Sequence, residues 1–304
     1  MQPELKFFPA NNSNFRYTGR IDFSNPALPR FWLPGVYITT KFTGKSCEIL
    51  LNDEEYGRYN YVSLAIDDQP SMRIQLTGKN NLIRIDTLDA GVHKLVICKS
   101  TESNIGYMEF AGLKCKKLLP PDPLPERKIE FIGNSITCGT GSDPAVVSCG
   151  KGKWHDQHNA YMSYGPLTAR ALNARWILSA YSGIGMIRSC CGMKITMPDV
   201  IDKVNMRDNE IPWDFSKFHP DVVTICLGQN DGIQDSVKFC SAYVDFIGRM
   251  RLVYPNADII CLSSPMADQS LTACLKNYLT GIVTAIHNSG DTKVHSCFFS
   301  KRYN

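Results

Sequence analysis

The stretch LLPPDPLPERK at residues 118–128 holds four prolines, and that density excludes both a helix and a central strand. Each proline lacks an N–H to donate and has φ locked at about −65°. The segment reads as a linker, and the hydrophobic rhythm differs on its two sides. A chain of 304 residues is long enough to bury two cores. The predicted division is one domain over 1–120 and another over 128–304.

Before the linker the apolar runs are short: FRYTGRIDF, GVYITTKF, SCEILL, YVSLAID, SMRIQL, NLIRID, HKLVICKST and YMEFAGLKC. Turn signals lie between them, namely DDQP at 67–70, GKNN at 78–81 and DAG at 89–91. None of these runs has a 3.6-residue period. Short strands at regular spacing predict an antiparallel β-sandwich of jelly-roll type.

After the linker, apolar runs alternate with helical patterns. The runs are KIEFIGNS, ARWILSA, DVVTICLG, ADIICLSS and KVHSCFFS. Between them, NAYMSYGPLTARALN offers Tyr161, Tyr164 and Leu172 to one face. SVKFCSAYVDFIGRMRLV offers Val237, Cys240, Val244 and Ile247 behind Asp235 or Ser236 as N-cap. LTACLKNYLTGIVTAIHNSG offers Leu275, Tyr278, Leu279, Ile282 and Ile286 before Gly290. This alternation predicts a three-layer α/β domain with a parallel sheet, which binds ligands at the carboxyl ends of its strands.

Composition excludes several classes of function. The formal charge of +4 is scattered rather than gathered on one face, which argues against nucleic acid as a partner. No segment approaches the roughly 18 uncharged apolar residues of a membrane span, and the first thirty residues lack the apolar core of a signal peptide. Many of the twelve cysteines (Cys98, Cys226, Cys240, Cys261, Cys274) lie in apolar segments as small buried hydrophobes. Cys138 and Cys149 flank a glycine-rich loop and are candidates for a disulfide in an oxidising compartment. The adjacent Cys190 and Cys191 lack the C-x-x-C spacing of a zinc or redox site. His155 and His158 have H-x-x-H spacing without a third ligand, so a surface or packing role is expected. No metal and no cofactor is predicted.

Three strand ends remain to be read: GNS at 133–135, YSGIG at 181–185 and GQND at 228–231. Taken alone, each has a plain explanation as a loop serine, a glycine turn or a helix-capping Asn-Asp pair. Taken together they supply what acyl transfer needs. Ser135 is a candidate nucleophile. The backbone N–H groups of its turn and of Gly183, with the carboxamide of Asn230, are candidate donors to a tetrahedral oxyanion.

In GNSIT, the glycine of SGIG and the asparagine of LGQND, the chain resembles the SGNH, or GDSL-type, hydrolases. More narrowly it is similar to carbohydrate esterase family 2. That resemblance is carried by LPRFWLPGVYI, the Thr-Glu of KSTE, KIEFIGNSITCGTG, NAYMSYG and IPWDFSKFHPDVVTICLGQND, from about residue 18 onward. It implies a jelly roll joined to an SGNH domain, with Ser135 as nucleophile and Gly183 and Asn230 as oxyanion donors. The implied reaction is removal of acetyl groups from an O-acetylated plant polysaccharide or oligosaccharide, in a secreted or periplasmic setting. Asn134 replaces the Asp of the GDS form at a position to which no chemistry is assigned.

The family takes its catalytic histidine from a loop after the last strand, in a D-x-x-H or His-Pro context. His295, in DTKVH, is one residue out of that spacing and falls within the last predicted strand. His219 precedes a strand, and His287 and His93 have capping or surface readings. The base is therefore expected beyond Asn304, and without it Ser135 is a poorly activated alcohol. A glycan-binding protein of impaired activity, or a lipase or thioesterase on the same scaffold, are the competing readings. Tyr181, Trp154 and Trp213 are candidates either for stacking on a sugar ring or for the core.

Overall fold

The structure, a computed structural model, describes residues 5–55, 57–67 and 69–300. Asp68 of the DDQP turn and the last four residues of FFSKRYN lie outside them. The expected two-part architecture is present. The N-terminal half is an antiparallel sheet folded on itself from β1 (Lys6–Pro9), β2 (Arg16–Thr18), β3 (Arg30–Phe31), β4 (Tyr37–Glu55), β5 (Tyr61–Ile66), β6 (Met72–Gln75), β7 (Asn80–Ile85), β8 (Val92–Lys99) and β9 (Gly106–Leu119).

The long β4 organises this half. The sequence reads its two parts, GVYITTKF and SCEILL, as separate strands, but they form one strand. Its first part pairs with β2, β8 and the end of β9, and its second with β7 and the rest of β9, so the partner that changes is β8 for β7. The change of partners falls where the register with β9 shifts between Thr43 and Cys47. Gly44 sits there at φ 115°, a backbone conformation that side chains disfavour. β1, ahead of the first run read from sequence, adds an edge strand against β9. Phe31, Leu33, Phe42, Ile49, Val62, Leu95, Ile97 and Phe110 fill the space the sheet encloses.

Beyond β9 the chain runs without regular structure to β10 (Lys128–Gly133), and Asp122 on the way is held by Lys41 and Lys94 at 2.8 and 3.1 Å. The C-terminal half continues with α1 (Ser135–Cys138), α2 (Tyr164–Ala171), β11 (Arg175–Ala180), α3 (Met197–Val200), the small hairpin β12 (Lys203–Asn205) and β13 (Glu210–Pro212), β14 (Val222–Cys226), α4 (Ser236–Val253), β15 (Asp258–Leu262), α5 (Gln269–Asn288) and β16 (Val294–Cys297). The parallel sheet has the order β11-β10-β14-β15-β16. α2 packs on the face formed by Phe131, Trp176 and Leu178, while α4 and α5 cover Val223, Ile225 and Ile259 on the other.

Helix starts follow the caps. Asp235 accepts from the Lys238 N–H, and Asp268 from the Leu271 N–H. α5 buries Leu275, Leu279, Ile282 and Ile286 of the face expected, together with Leu271 and Val283, while Tyr278 is half-buried. α4 is rotated from the face expected. Val237 is 76% exposed and Cys240 and Val244 are half-buried, whereas Phe239, Tyr243, Phe246, Ile247 and Met250 are buried. Two series fit the helical period there, and the one with the larger aromatic area goes inside. In the NAYMSYGPLTARALN segment Tyr161 belongs to a separate 3-10 turn ahead of α2, and Leu172 is exposed.

The two halves meet over a broad contact. Tyr37 stacks on Trp176 with centroids 4.0 Å apart, and the Trp176 indole N–H donates to Gly35 O. Arg20 reaches from the sandwich to Glu130 in β10 at 2.9 Å, with both side chains buried. Arg20 also lies over the ring of Trp213. Trp213 is therefore a core residue beneath this pair, and the core reading holds for it rather than the sugar-stacking one.

Candidate active site

Gly133, Ala180 and Cys226 stand side by side in register on β10, β11 and β14. The segments that follow them consequently leave the sheet at one level, and they carry Ser135, Gly183 and Asn230 two, three and four residues later. Ser135 opens α1, a single turn capped by Asn134, whose Oδ1 accepts the Ile136 N–H at 3.1 Å. The turn closes at Gly139, and the N–H groups of Gly139 and Thr140 bind Ser135 O at 3.1 and 3.0 Å. It folds so tightly over the strand end that any side chain at Gly133 would collide with Thr137.

The second and third segments are built around each other. Asn230 Nδ2 donates to Ile184 O at 2.8 Å, one residue beyond Gly183. The neighbouring Asp231 is fully buried and accepts the N–H groups of Met186, Ile187 and Arg188 at 2.9, 2.7 and 3.0 Å. A carboxylate out of water demands this many donors. Gly183 has φ 82°, and a Cβ there would lie 2.8 Å from Cys190 Sγ. Cys190 and Cys191 are joined to each other at this rim.

Glu102, on the loop after β8, enters from the sandwich with no exposed surface. Its Oε2 accepts the Ser182 N–H at 2.8 Å and lies 3.8 Å from Cys138 Sγ, and its Oε1 accepts from Trp154 Nε1 at 3.3 Å. The Cys138–Cys149 disulfide is therefore not formed. Cys138 is enclosed beside Glu102 while Cys149 is exposed. Burial, with the Glu102 charge adding to it, pushes the Cys138 thiol far up, so it remains an S–H donor.

The histidines divide sharply. His93 pairs with Asp67 in the sandwich. His219 is exposed ahead of β14, His287 bonds Val294 O at the start of β16, and His295 lies 3.1 Å from Asp258 at the start of β15. These last three sit toward the amino ends of the strands, opposite the Ser135 end. Among the described residues no histidine hydrogen-bonds the Ser135 hydroxyl. His155 and His158 are both buried, so packing, not surface, is their role. His158 Nε2 is 3.2 Å from Thr140 Oγ1 and 3.9 Å from Glu102, and Trp154 packs edge-on against it.

Burial lowers the His158 pKa from 6.5 to about 4. Between those values the unfolded chain binds a proton that the folded chain refuses, so this residue's contribution to stability is lost as pH falls from 6.5 toward 4. The slope is at most about 1.4 kcal/mol per pH unit. Melting temperatures measured across that window are expected to fall less steeply in His158→Gln than in wild type.

Glu102 and Asp231 are the residues whose roles sequence reasoning did not assign. The available signal for Glu102 is that KSTES, five polar residues running on from a buried strand, is almost wholly inaccessible at 99–103. Trp154 is 43% exposed with its indole N–H tethered to Glu102, whereas Tyr181 is buried. Among the described residues no group of three or more His, Cys, Asp or Glu is placed to hold a metal ion.

Residues 17–123 match the family model described as carbohydrate esterase 2 N-terminal, and residues 131–294 that of the GDSL-like lipase/acylhydrolase family. The chain is 34% identical over 301 residues to the cellulase/esterase CelE of Acetivibrio thermocellus, covering 96% of this chain and 36% of that much longer protein. It is 26% identical over 289 residues to an acetylxylan esterase / glucomannan deacetylase of Cellvibrio japonicus, covering 92% of this chain and 79% of that one. Among solved structures, a family two carbohydrate esterase from Clostridium thermocellum in complex with cellohexaose superposes with a TM-score of 0.88 at 32% identity, over 95% of this chain and 89% of the other. A family two carbohydrate esterase from Cellvibrio japonicus gives 0.88 at 25% identity, over 98% and 89%.

Proposed function

The chain belongs to family 2 of the carbohydrate esterases, and from that premise we propose that it removes O-acetyl groups from plant polysaccharides or their oligosaccharides, with Ser135 as nucleophile. In this reading Ser135 Oγ attacks the acetyl carbon while a histidine base takes its proton. The tetrahedral oxyanion is held by the N–H groups of Ser135 and Gly183 and by Asn230 Nδ2. Collapse expels the sugar hydroxyl, which receives the proton, and water then releases acetate from the acetyl-enzyme. In this reading the reaction runs in a secreted or periplasmic setting, where polymeric glycans are met.

The observation that carries the reading is the bond from Asn230 Nδ2 to Ile184 O at 2.8 Å. A carboxamide nitrogen has two hydrogens. One is spent fixing the side chain beside Gly183, and the other is left for substrate. Because such a donor is fixed before charge develops, its loss falls on the transition state. Asn230→Ala is expected to lower kcat on p-nitrophenyl acetate by about 100- to 1000-fold.

The substrate class is tested by acetate release from acetylated xylan and glucomannan oligosaccharides, alongside p-nitrophenyl acetate and octanoate. Release from the glycans together with a strong preference for acetyl over octanoyl is the expected result. Equal rates on the two acyl chains, with no acetate from either glycan, would replace this reading with a lipase or thioesterase on the same scaffold.

A further inference from the structure

Among the described residues, Glu102 is the one carboxylate that the sandwich half sends, fully buried, to the segments around Ser135 and Gly183. Its neighbours come from three separate places in the other half: Cys138, the last residue of α1; Ser182, immediately before Gly183; and Trp154 with His158 on the intervening loop. An unpaired carboxylate at such a site would cost several kcal/mol, so the bonds are obligatory rather than incidental. The backbone that presents it is fixed in turn. Lys99 Nζ donates to Thr101 O at 2.7 Å, to Thr101 Oγ1 at 3.3 Å and to Glu102 O at 3.2 Å. The same loop is tied to the C-terminal half by the Ala160 N–H on Ser100 O at 3.0 Å, and Ser63 Oγ bonds both Ser100 Oγ and Asn159 Oδ1.

We propose that Glu102 is a positioning residue for ester hydrolysis: by holding the Ser182 N–H and the end of α1 on one carboxylate, it fixes the Tyr181–Ser182 peptide, one link before the Gly183 N–H, relative to Ser135. The inference rests on the assignment of Ser135 and Gly183 made above. The next peptide along carries the Gly183 N–H, and Gly183 itself, at φ 82°, has no side chain to fix its direction, so its position is set by the anchored residue before it. A displacement of the order of 1 Å in such a site costs about 100-fold in rate. The sandwich is thereby part of the catalytic apparatus and not only a neighbour of it.

The test uses the full-length protein on p-nitrophenyl acetate, with Ser135→Ala, Glu102→Ala and Glu102→Gln measured together. Glu102→Gln has the same shape and keeps one oxygen for the Ser182 N–H, but it presents an NH2 group to donors it formerly accepted. Glu102→Ala is expected to lower kcat by about 100-fold and Glu102→Gln by about 10-fold, with KM within about threefold and the melting temperature of the Gln variant close to wild type. If Glu102→Ala does not fold, the Gln variant decides. A wild-type kcat in Glu102→Gln, or a rise confined to KM, overturns the proposal while leaving the function standing. Ser135→Ala hydrolysing at the wild-type rate would overturn the function itself.

Discussion

With the histidine base in place, Ser135→Ala is expected to abolish acetyl ester hydrolysis, lowering kcat on p-nitrophenyl acetate by at least about 10,000-fold with little change in KM. The size follows from covalent chemistry. Removing the nucleophile of a serine hydrolase leaves only what binding and oxyanion stabilisation can give to direct attack by water, a remnant of roughly 1000- to 10,000-fold over the uncatalysed reaction. The substitution removes one oxygen from a turn whose hydrogen bonds run through the Ser135 carbonyl and the Asn134 side chain, so the fold is kept. Steady-state kinetics paired with a melting curve check both halves of the statement. A variant that melts like wild type and turns over within tenfold of it would remove Ser135 from the mechanism.

Arg20→Ala is expected to be the most destabilising of the substitutions considered, by about 3–5 kcal/mol. Arg20 and Glu130 are essentially inaccessible and 2.9 Å apart. Arg20 Nη1 also donates to the carbonyls of Ile201 and Lys203, and Glu130 Oε1 accepts from Ser179 Oγ. Truncating the arginine leaves a carboxylate in the middle of β10 without its cation, and that uncompensated charge makes up most of the cost. Replacing both partners together, Arg20→Met with Glu130→Leu, is expected to recover much of the loss, because a well-packed apolar pair needs no desolvation. Urea denaturation of the single and double variants measures it. A single variant within about 1 kcal/mol of wild type would mean that the pair is not what holds the sandwich to β10.

The sequence conveyed the parts of the fold that are local. The four prolines, the short strands broken by turn residues and the later alternation of runs with helical patterns each arise from neighbouring residues, and the strand ends that carry Ser135, Gly183 and Asn230 follow from them. What escaped depends on partners distant in the chain. Gly44 looks like a break between strands, yet one strand runs on through it while its partner changes from β8 to β7. Val237 and Phe239 both start plausible helical stripes, and only the volume available against the sheet chooses between them. Cys138 and Cys149 are near in sequence, but Glu102 encloses the first and leaves the second outside. Glu102 and Asp231 are anchors for loops many residues away, a role with no local signature.

The continuity of β4 past Gly44 has a mechanical corollary. A sheet in which one strand carries both the β8 and the β7 pairing has no seam between them, so loosening either part pulls on the other through the same backbone. Hydrogen exchange in the amides on either side of Gly44 is expected to proceed by a single opening event, and a backbone nick at that glycine to dismantle the entire N-terminal half instead of freeing one sheet.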